Sequence, residues 1–197
     1  MGSGFGHALG LDHTAVRNAE GLPYIPASLL KGCLRGICKR IGLTLADSET
    51  AYKGICETLA GAEQCRQDDQ QKCCVVCRLF GSRLYPGRLR FTDGLLPEGL
   101  RAELLLRQRL WPGGMDFDNH RPRSQIRLNR RRGVAQAKLL FRGEVVPNTL
   151  TFEARIVGDL NDAEERLLDQ GVRLLTHLGS QKSRGLGHCH LSWISEE

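Results

Sequence analysis

The sequence lacks long apolar runs and a secretion signal. No run approaches the ~18 residues that a membrane-spanning helix needs. The first residues, MGSGFGHALG, do not place an apolar segment after basic ones. We therefore expect a cytoplasmic protein that does not enter a membrane. Disulfides are rare in that compartment, so the eight cysteines of the chain require another explanation.

The sequence also lacks the usual nucleotide-binding motifs, and it has few aromatic residues. The chain has no GxxxxGKS/T motif. The glycine-rich stretch LGSQKSRGLGHCHL, residues 178–191, follows a helical pattern and leads into a strand-like one, the reverse of a Rossmann turn. Aromatic residues make up 6% of the chain, which argues against a sheet that stacks bases as an RRM does. Lys182, Ser183 and Arg184 lie between glycines of this stretch, and this composition suits a phosphate that does not belong to a nucleotide cofactor.

The positive charge of the chain is concentrated in one segment. The net charge is +6, and residues 101–132 contain nine arginines and three acidic residues, so nine minus three accounts for the whole excess. A concentrated arginine segment indicates a polyanionic partner. The alternative is a solvated arginine-rich face without a partner.

Apolar spacing predicts a first helix from Pro26 to Gly42, because proline suits the first turn and glycine a stop. Lys31, Arg35 and Lys39 recur every fourth residue and therefore share the face opposite to the apolar one.

A second helix is predicted over 161–178, with Asp162 or Asn161 as its N-cap. Strand-like runs lie at 87–93, twice within 137–158, and at 188–194. The order helix, strand, strand, helix, strand predicts an α+β fold with a ferredoxin-like (RRM-like) βαββαβ core whose first strand is missing. We expect a single domain over residues 1–197.

Five cysteines lie within 22 residues of a polar segment, residues 43–77, which is predicted to be an insertion. Tetrahedral zinc takes about four soft ligands, and a CxxC turn supplies two of them. The spacing therefore predicts structural Zn²⁺ at Cys56, Cys65, Cys74 and Cys77. Cys73 is a possible replacement for one of the four, and packing thiols without a metal are the alternative.

One motif carries a family resemblance. The stretch GLPYIPASLLKGCLR, residues 21–35, resembles the LPxIPxSSLKGxLR signature of the RAMP superfamily, the RNA-binding subunits of CRISPR effector complexes. The likeness is in particular to the repeated backbone subunit of type III complexes. Further stretches resemble the family in its own order: CRLFGS (77–82) with GRLRFTDG (87–94), RSQIRLNRRRGVAQAKLLFRGEVVPNTLTF (123–152), and LGSQKSRGLGHCHL (178–191). Family members usually begin with a full strand, whereas this chain begins with MGSGFG.

The resemblance implies an antiviral subunit that binds CRISPR guide RNA and target RNA and assembles with other subunits, including copies of itself. The basic helix face and the loop at 179–187 would cradle the guide RNA, and residues 101–136 would form a thumb. The RNA-binding residues that it implies are Lys31, Arg35, Lys39, Arg121, Arg123, Arg127, Arg130, Lys182, Ser183, Arg184, Gly185 and Gly187.

The resemblance also implies a catalytic role for Asp12. In the type III backbone subunits, an aspartate that precedes the signature cleaves the target RNA. A carboxylate that orients the 2′-hydroxyl, or binds Mg²⁺ or another divalent metal, promotes attack of that hydroxyl on the adjacent phosphate. Without the resemblance, Asp12 is an ordinary turn residue. His7 and His13 are the nearby candidates for proton transfer, and surface histidines are the alternative.

Three other functions remain open at this point. The first is a scaffold of the same complex that does not cleave. The second is a CRISPR-RNA processing endonuclease of the same superfamily, in which a histidine near the N-terminus is catalytic. The third is an unrelated zinc-ribbon protein that binds DNA, which the arginine-rich segment and the glycine loop disfavour.

Overall fold

The computed structural model of the protein describes residues 3–4, 12–56, 65, 73–110 and 123–194. The elements in chain order are β1 (Ser3–Gly4), β2 (Thr14–Ala15), α1 (Ala27–Leu45), α2 (Val75–Phe80), β3 (Arg90–Phe91), α3 (Glu98–Leu110), β4 (Arg123–Asn129), β5 (Val134–Gly143), β6 (Ile156–Val157) and α4 (Asp162–Leu174). Short 3₁₀ turns lie at Thr50–Tyr52 and Lys182–Arg184. The α+β class is thus confirmed. None of the described helices is long and apolar enough to span a membrane.

The chain forms two compact units. The first unit consists of Met1–Pro26, Gly94–Glu153 and Gly179–Gly187, and the second of Ala27–Asp93, Ala154–Leu178 and His188–Glu197. Three antiparallel two-stranded sheets are formed, β1 with β2, β3 with β6, and β4 with β5.

The first unit contains the hairpin of β4 and β5 and the helix α3, and both are largely exposed. No residue of α3 is buried, and neither hairpin strand has a buried residue. The hairpin pairs Arg123 with Gly143 at its base, and its register shifts between Ile126 and Leu128. Sequence periodicity did not predict α3, because a helix without a buried face has no apolar stripe.

The second unit is built on α1 and α4. The backbone N–H of Ala27 donates to the Asp93 carboxylate (2.7 Å), so a distant residue serves one of the orphan donors at the start of α1. The helix continues through Gly42, so the predicted end at this glycine is wrong. A Cβ on Gly42 would lie 2.3 Å from Ile55 Cδ1, so close packing requires a glycine at this position. The glycine does not end the helix.

Helix α4 begins with a capping box at Asn161, one of the two predicted N-caps, and it ends at Leu174, before the predicted end at residue 178. The Asn161 side chain accepts from the Glu164 backbone N–H, and the Glu164 carboxylate accepts from the Asn161 backbone N–H. Glu164 is buried, and Arg78 and Arg88 approach it within 3.3 and 3.6 Å. A Cβ on Gly171 would lie 2.6 Å from Cys38 Sγ of α1. The two helices therefore approach closely only because this position is glycine.

The predicted strand at 188–194 is wrong. This segment makes a single antiparallel bridge, between His177 and His188, and its remaining residues are irregular. A strand is held by the hydrogen-bond ladder of a neighbour, and the described part of the second unit places no strand beside residues 189–194. The complete ferredoxin-like sheet is likewise not formed among the described residues.

Candidate nucleic-acid interface and metal centre

The glycine loop is joined to the arginine-rich hairpin through Gln125 of β4. Gln125 Nε2 donates to the side-chain oxygen of Gln181, and Arg184 Nη1 donates to Gln125 Oε1. Both bonds lie within the first unit. Two segments that are more than fifty residues apart in the sequence thus share one polar cluster.

The segment with Asp12 meets the same hairpin at the end of β5. The Asp12 backbone N–H donates to the Arg142 carbonyl (2.8 Å), and the Arg142 N–H donates to Asp12 Oδ2 (2.7 Å). His13 forms a parallel bridge with Gly143. A Cβ on Gly143 would lie 3.9 Å from His13 Cβ and 4.0 Å from Gln181 Nε2. The base of the hairpin therefore brings Asp12, His13 and the glycine loop together.

The Asp12 carboxylate is exposed but held in place. Its Oδ2 accepts the Arg142 N–H, while no described residue donates to Oδ1. One oxygen thus fixes the side chain, and the other can contact a hydroxyl or a cation supplied by a ligand. His7 lies outside the described residues, and His13 is exposed.

The loop glycines adopt the backbone conformation that their sequence pattern predicts. Gly179, Gly185 and Gly187 have φ of 100°, 74° and 76°, a region that other residues rarely adopt. Gly185 ends the short turn of Lys182–Arg184, and Lys182, Ser183 and Arg184 are exposed. The loop therefore presents basic side chains around a tightly turned backbone, a composition suited to phosphate.

The predicted arginines of the hairpin are exposed where the structure describes them. Arg123 and Arg127 lie on β4, and Arg130 lies in the turn that follows. Arg121 lies outside the described residues. Lys138 of β5 is exposed and has a positive φ of 63°, close to the register shift.

The basic face of α1 belongs to the second unit and is only half-exposed. Lys31 Nζ lies 6.0 Å from the centre of the Phe91 ring, and Arg35 Nη2 donates to Cys77 Sγ (3.8 Å). Lys39, one turn further along, is also half-buried. Within this unit, the predicted RNA-binding side chains of Lys31 and Arg35 therefore contact residues of their own chain.

The four predicted metal ligands lie together and are all buried. The sulfurs of Cys56, Cys65, Cys74 and Cys77 lie within 4.8 Å of one another. Cys56 Sγ is 2.9 Å from Cys65, 3.6 Å from Cys74 and 3.8 Å from Cys77. Sulfurs around tetrahedral zinc lie ~3.8 Å apart, given Zn–S bonds of ~2.3 Å. The cluster therefore fits a tetrahedral metal ion, with Cys56 and Cys65 moving slightly apart.

Local packing explains how these cysteines are placed. Cys74 caps α2 and Cys77 lies in its first turn, so their side chains share one side of the helix. Cys56 follows a segment anchored by buried Tyr52, whose hydroxyl donates to the Ala163 carbonyl (3.0 Å). Cys73 is buried but is not one of the four clustered residues.

The thiols perturb one another even without a metal. A hydrogen bond from Cys77 lowers the pKa of Cys74 to about 4, and the same bond raises the pKa of Cys77. Burial raises the pKa of Cys65 to about 12. The hydrogen bond from Cys77 thus favours the thiolate form of Cys74, which is the protonation state that a soft metal binds.

Comparison with known structures shows which fold this is. A chain in a cryo-EM structure of the type III-B Cmr-beta complex bound to cognate target RNA is 14% identical with a TM-score of 0.58, covering 98% of this chain and 92% of its own length. A chain in the apo Cmr-beta cryo-EM structure is also 14% identical with a TM-score of 0.60, covering 100% of this chain and 94% of its own length. At this identity the likeness establishes the fold.

The family is shown by the sequence itself. The model of the RAMP superfamily matches residues 1–190, and the chain belongs to that superfamily. No curated protein matches the chain in sequence. The resemblance based on the GLPYIPASLLKGCLR motif is thus confirmed at the level of the superfamily.

Sequence reasoning missed the residues that join the segments. Gln125, Gln181 and the backbone of Arg142 are neither charged nor part of a chemical motif, so residue type alone did not single them out. Gln181 lies within the quoted glycine stretch, and Gln125 and Arg142 lie within the quoted stretch 123–152, so the family resemblance covered all three positions without assigning them a role.

Proposed function

We propose that this protein is an RNA-binding backbone subunit of a type III CRISPR effector complex, and that it binds the guide RNA and positions a paired target RNA. The observation that carries the proposal is the convergence of Asp12, the hairpin base and the glycine loop in one unit of a RAMP-superfamily chain. A type III-B complex bound to target RNA contains a chain of this fold, which supports the same proposal. The partners are then guide RNA, target RNA and other subunits, including further copies of this chain.

The guide RNA binds through its phosphates. Lys182 and Arg184 are exposed on the glycine loop, and the turned backbone allows a phosphate to approach the loop closely. Contacts of this kind carry no base information, so one subunit serves any guide sequence.

The arginine-rich hairpin serves as the thumb. Arg127 and Arg130 are exposed, and arginine pairs with phosphates through two donors and stacks on bases. Ile126 and Leu140 face each other across the two strands and are exposed as well. This combination suits a strand pair that lies against an RNA duplex and separates neighbouring bases.

In this proposal, the Asp12 side chain promotes cleavage of the target RNA. The 2′-hydroxyl of RNA is the nucleophile. Its attack on the adjacent phosphate breaks the bond from phosphorus to the 5′-oxygen of the next nucleotide, which leaves a 2′,3′-cyclic phosphate on one fragment and a 5′-hydroxyl on the other. The Asp12 carboxylate orients that hydroxyl through the oxygen that the Arg142 N–H leaves unused. A divalent ion would neutralise charge on the phosphate, with Asp12 as its protein ligand.

The cysteine cluster holds a structural Zn²⁺. A donor set of four buried sulfurs within 4.8 Å of one another is the arrangement that suits a closed zinc site. Its role is to fix the segment between α1 and α2.

The second unit is a ferredoxin-like core, and the described residues form the two strands β3 and β6 of its sheet. Apart from α2, its elements follow the order α1, β3, β6, α4, with β3 antiparallel to β6. This is the central part of a βαββαβ unit.

The test of RNA binding uses the protein with unrelated RNA sequences at several salt concentrations. Affinity should fall by about 10³-fold between about 50 and 200 mM salt if roughly six phosphates are contacted. Replacing Lys182 and Arg184 together by Gln should weaken binding about tenfold for every sequence. The double replacement of Lys53 and Arg83 by Gln removes the same charge from exposed positions of the second unit and is the control.

Each outcome identifies a different function. Equal losses for the two double variants would reject the glycine loop as the RNA site. A loss confined to one RNA sequence would indicate base readout. RNA binding without cleavage would make the protein a scaffold, and cleavage that survives at Asp12→Asn but not at His13→Ala would favour a processing endonuclease.

A further inference from the structure

The basic face of α1 contains one arginine, Arg35, that contacts the cysteine cluster. Arg35 Nη2 donates to Cys77 Sγ at 3.8 Å, within hydrogen-bonding distance of a sulfur acceptor. Arg35 is half-buried, and both residues belong to the second unit. The guanidinium that the sequence assigns to RNA thus contacts a residue of the cysteine cluster.

The residue one turn before Arg35 is also linked to α2, through Phe91. Lys31, one turn earlier on α1, lies over the ring of Phe91, and Phe91 stacks on Phe80 with ring centres 6.0 Å apart. Phe80 is the last residue of α2, the helix that carries Cys77. One side of α1 therefore packs along α2, and Arg35 is directed to the helix turn where two of the four sulfurs lie.

Charge balance gives this contact a function. Four thiolates bring more negative charge than a divalent cation neutralises, and the cluster is buried. Buried net charge is costly unless it is paired and hydrogen-bonded. Arginine is suited to this task, because it stays protonated, is weakly hydrated and has five donors.

We propose that Arg35 is a positioning residue of the metal centre, which donates a hydrogen bond to the Cys77 thiolate, offsets the excess charge of the four sulfurs and ties α1 to α2 through the ion. The inference rests on the metal centre of the proposed function. It reassigns Arg35 from the guide-RNA interface to the cysteine cluster. Hydrogen bonds from outside the ligand shell typically change metal affinity by 10- to 100-fold.

The experiment compares Arg35→Gln and Arg35→Lys with Arg40→Gln in the full chain. Arg40 lies on the same helix and is exposed, so its replacement removes the same charge without touching the cluster. Zinc affinity is measured by competition with a chelator, and the sulfur-to-metal charge-transfer band is recorded after replacement of zinc by Co²⁺. RNA affinity is measured for each variant in parallel.

Arg35→Gln should lower zinc affinity by about 10-fold or more and shift the cobalt band. Arg35→Lys, which keeps the charge and a donor, should recover part of both changes, and Arg40→Gln should change neither. A general loss of packing would not produce the band shift or its recovery by lysine.

Two results would overturn the inference in distinguishable ways. If Arg35→Gln retains zinc like the wild type but weakens RNA binding more than Arg40→Gln does, Arg35 is an RNA ligand and the metal centre stands. If the wild type binds neither zinc nor Co²⁺ at the four cysteines, the metal centre and the role of Arg35 fail together.

Discussion

The two units differ in what they bury. Almost all buried apolar side chains belong to the second unit, where α1, α2 and α4 contribute Leu34, Leu79 and Leu167, each with no exposed surface. In the first unit the buried apolar side chains among the residues described are Ala15, Leu22, Pro23 and Leu96. Burial of apolar surface is the main favourable term in folding. The second unit therefore provides the stability of the protein.

The first unit depends instead on polar contacts. Arg17 pairs with Glu144, whose carboxylate also accepts the backbone N–H of Ala15 (2.6 Å). Arg101 pairs with Glu20 through two hydrogen bonds. The exposed pair of Arg101 and Glu20 contributes little stability, since the median for such pairs is about 0–1 kcal/mol. A region held in this way can present charged groups to a ligand. We therefore expect mutations in the first unit to reduce function and mutations in the second unit to reduce stability.

The largest effect is expected for loss of the Asp12 carboxylate in the first unit. Asp12→Asn keeps an acceptor for the Arg142 N–H but removes the charge, so the backbone contact should persist. We expect cleavage of guide-paired RNA to fall by about 10²- to 10⁴-fold, while RNA affinity and thermal stability stay near wild type. Cleavage is measured in the assembled complex with saturating divalent metal, and a target with 2′-deoxy sugars at the cut positions should bind but resist cleavage.

Asp159→Asn is the control, because Asp159 is an exposed carboxylate of the second unit. Wild-type cleavage by the Asp12→Asn complex would exclude Asp12 from the chemistry.

The second prediction concerns the cysteine cluster. Cys74→Ser should release the metal and destabilise the protein by about 3 kcal/mol or more, because metal binding and local folding are coupled. Cys189→Ser, at a half-buried position outside the cluster, should change stability by less than about 1 kcal/mol. Zinc content by elemental analysis and urea unfolding measure both variants. Equal unfolding midpoints for the two variants would contradict a structural site.

A third prediction tests the close approach of α1 and α4. A methyl group at Gly171 would meet Cys38 Sγ, and overpacking of this kind costs about 1–3 kcal/mol. Gly171→Ala should therefore lower the unfolding midpoint and leave the intrinsic RNA affinity of folded protein unchanged. Gly32→Ala is the matched control in α1, since a Cβ there meets nothing within 4 Å, and it should stabilise by about 0.5–1 kcal/mol. If both variants are stabilised, the two helices do not pack as closely as described.

The smallest effect is expected at Gln125. Gln125→Ala removes both side-chain hydrogen bonds between β4 and the glycine loop. We expect RNA affinity to fall about threefold to tenfold, with faster amide hydrogen exchange over residues 179–187 and a stability change below about 1 kcal/mol. Gln136→Ala on β5 is the control within the same hairpin. Unchanged exchange in the loop would show that the two glutamines do not hold it.

The sequence predicted the second unit better than the first. Helices α1 and α4 were recognised because each buries one apolar face. The cysteine cluster was recognised because several cysteines close together in a polar segment are typical of a metal site. Helix α3 and strand β4 have no buried face, so apolar periodicity did not predict them. The first strand-like run within residues 137–158 did indicate part of β5. The glycine loop was recognised from composition, but its connection to β4 depends on Gln125 and Gln181, whose pairing arises only in the folded chain.

The contact between Asp12 and Arg142 has an evolutionary consequence. The fold uses only one acceptor atom of the Asp12 side chain, and asparagine supplies the same atom. A single base change converts an aspartate codon to an asparagine codon. Under the proposed function, lineages of this subunit can therefore lose and regain target cleavage by one substitution, without passing through a less stable protein.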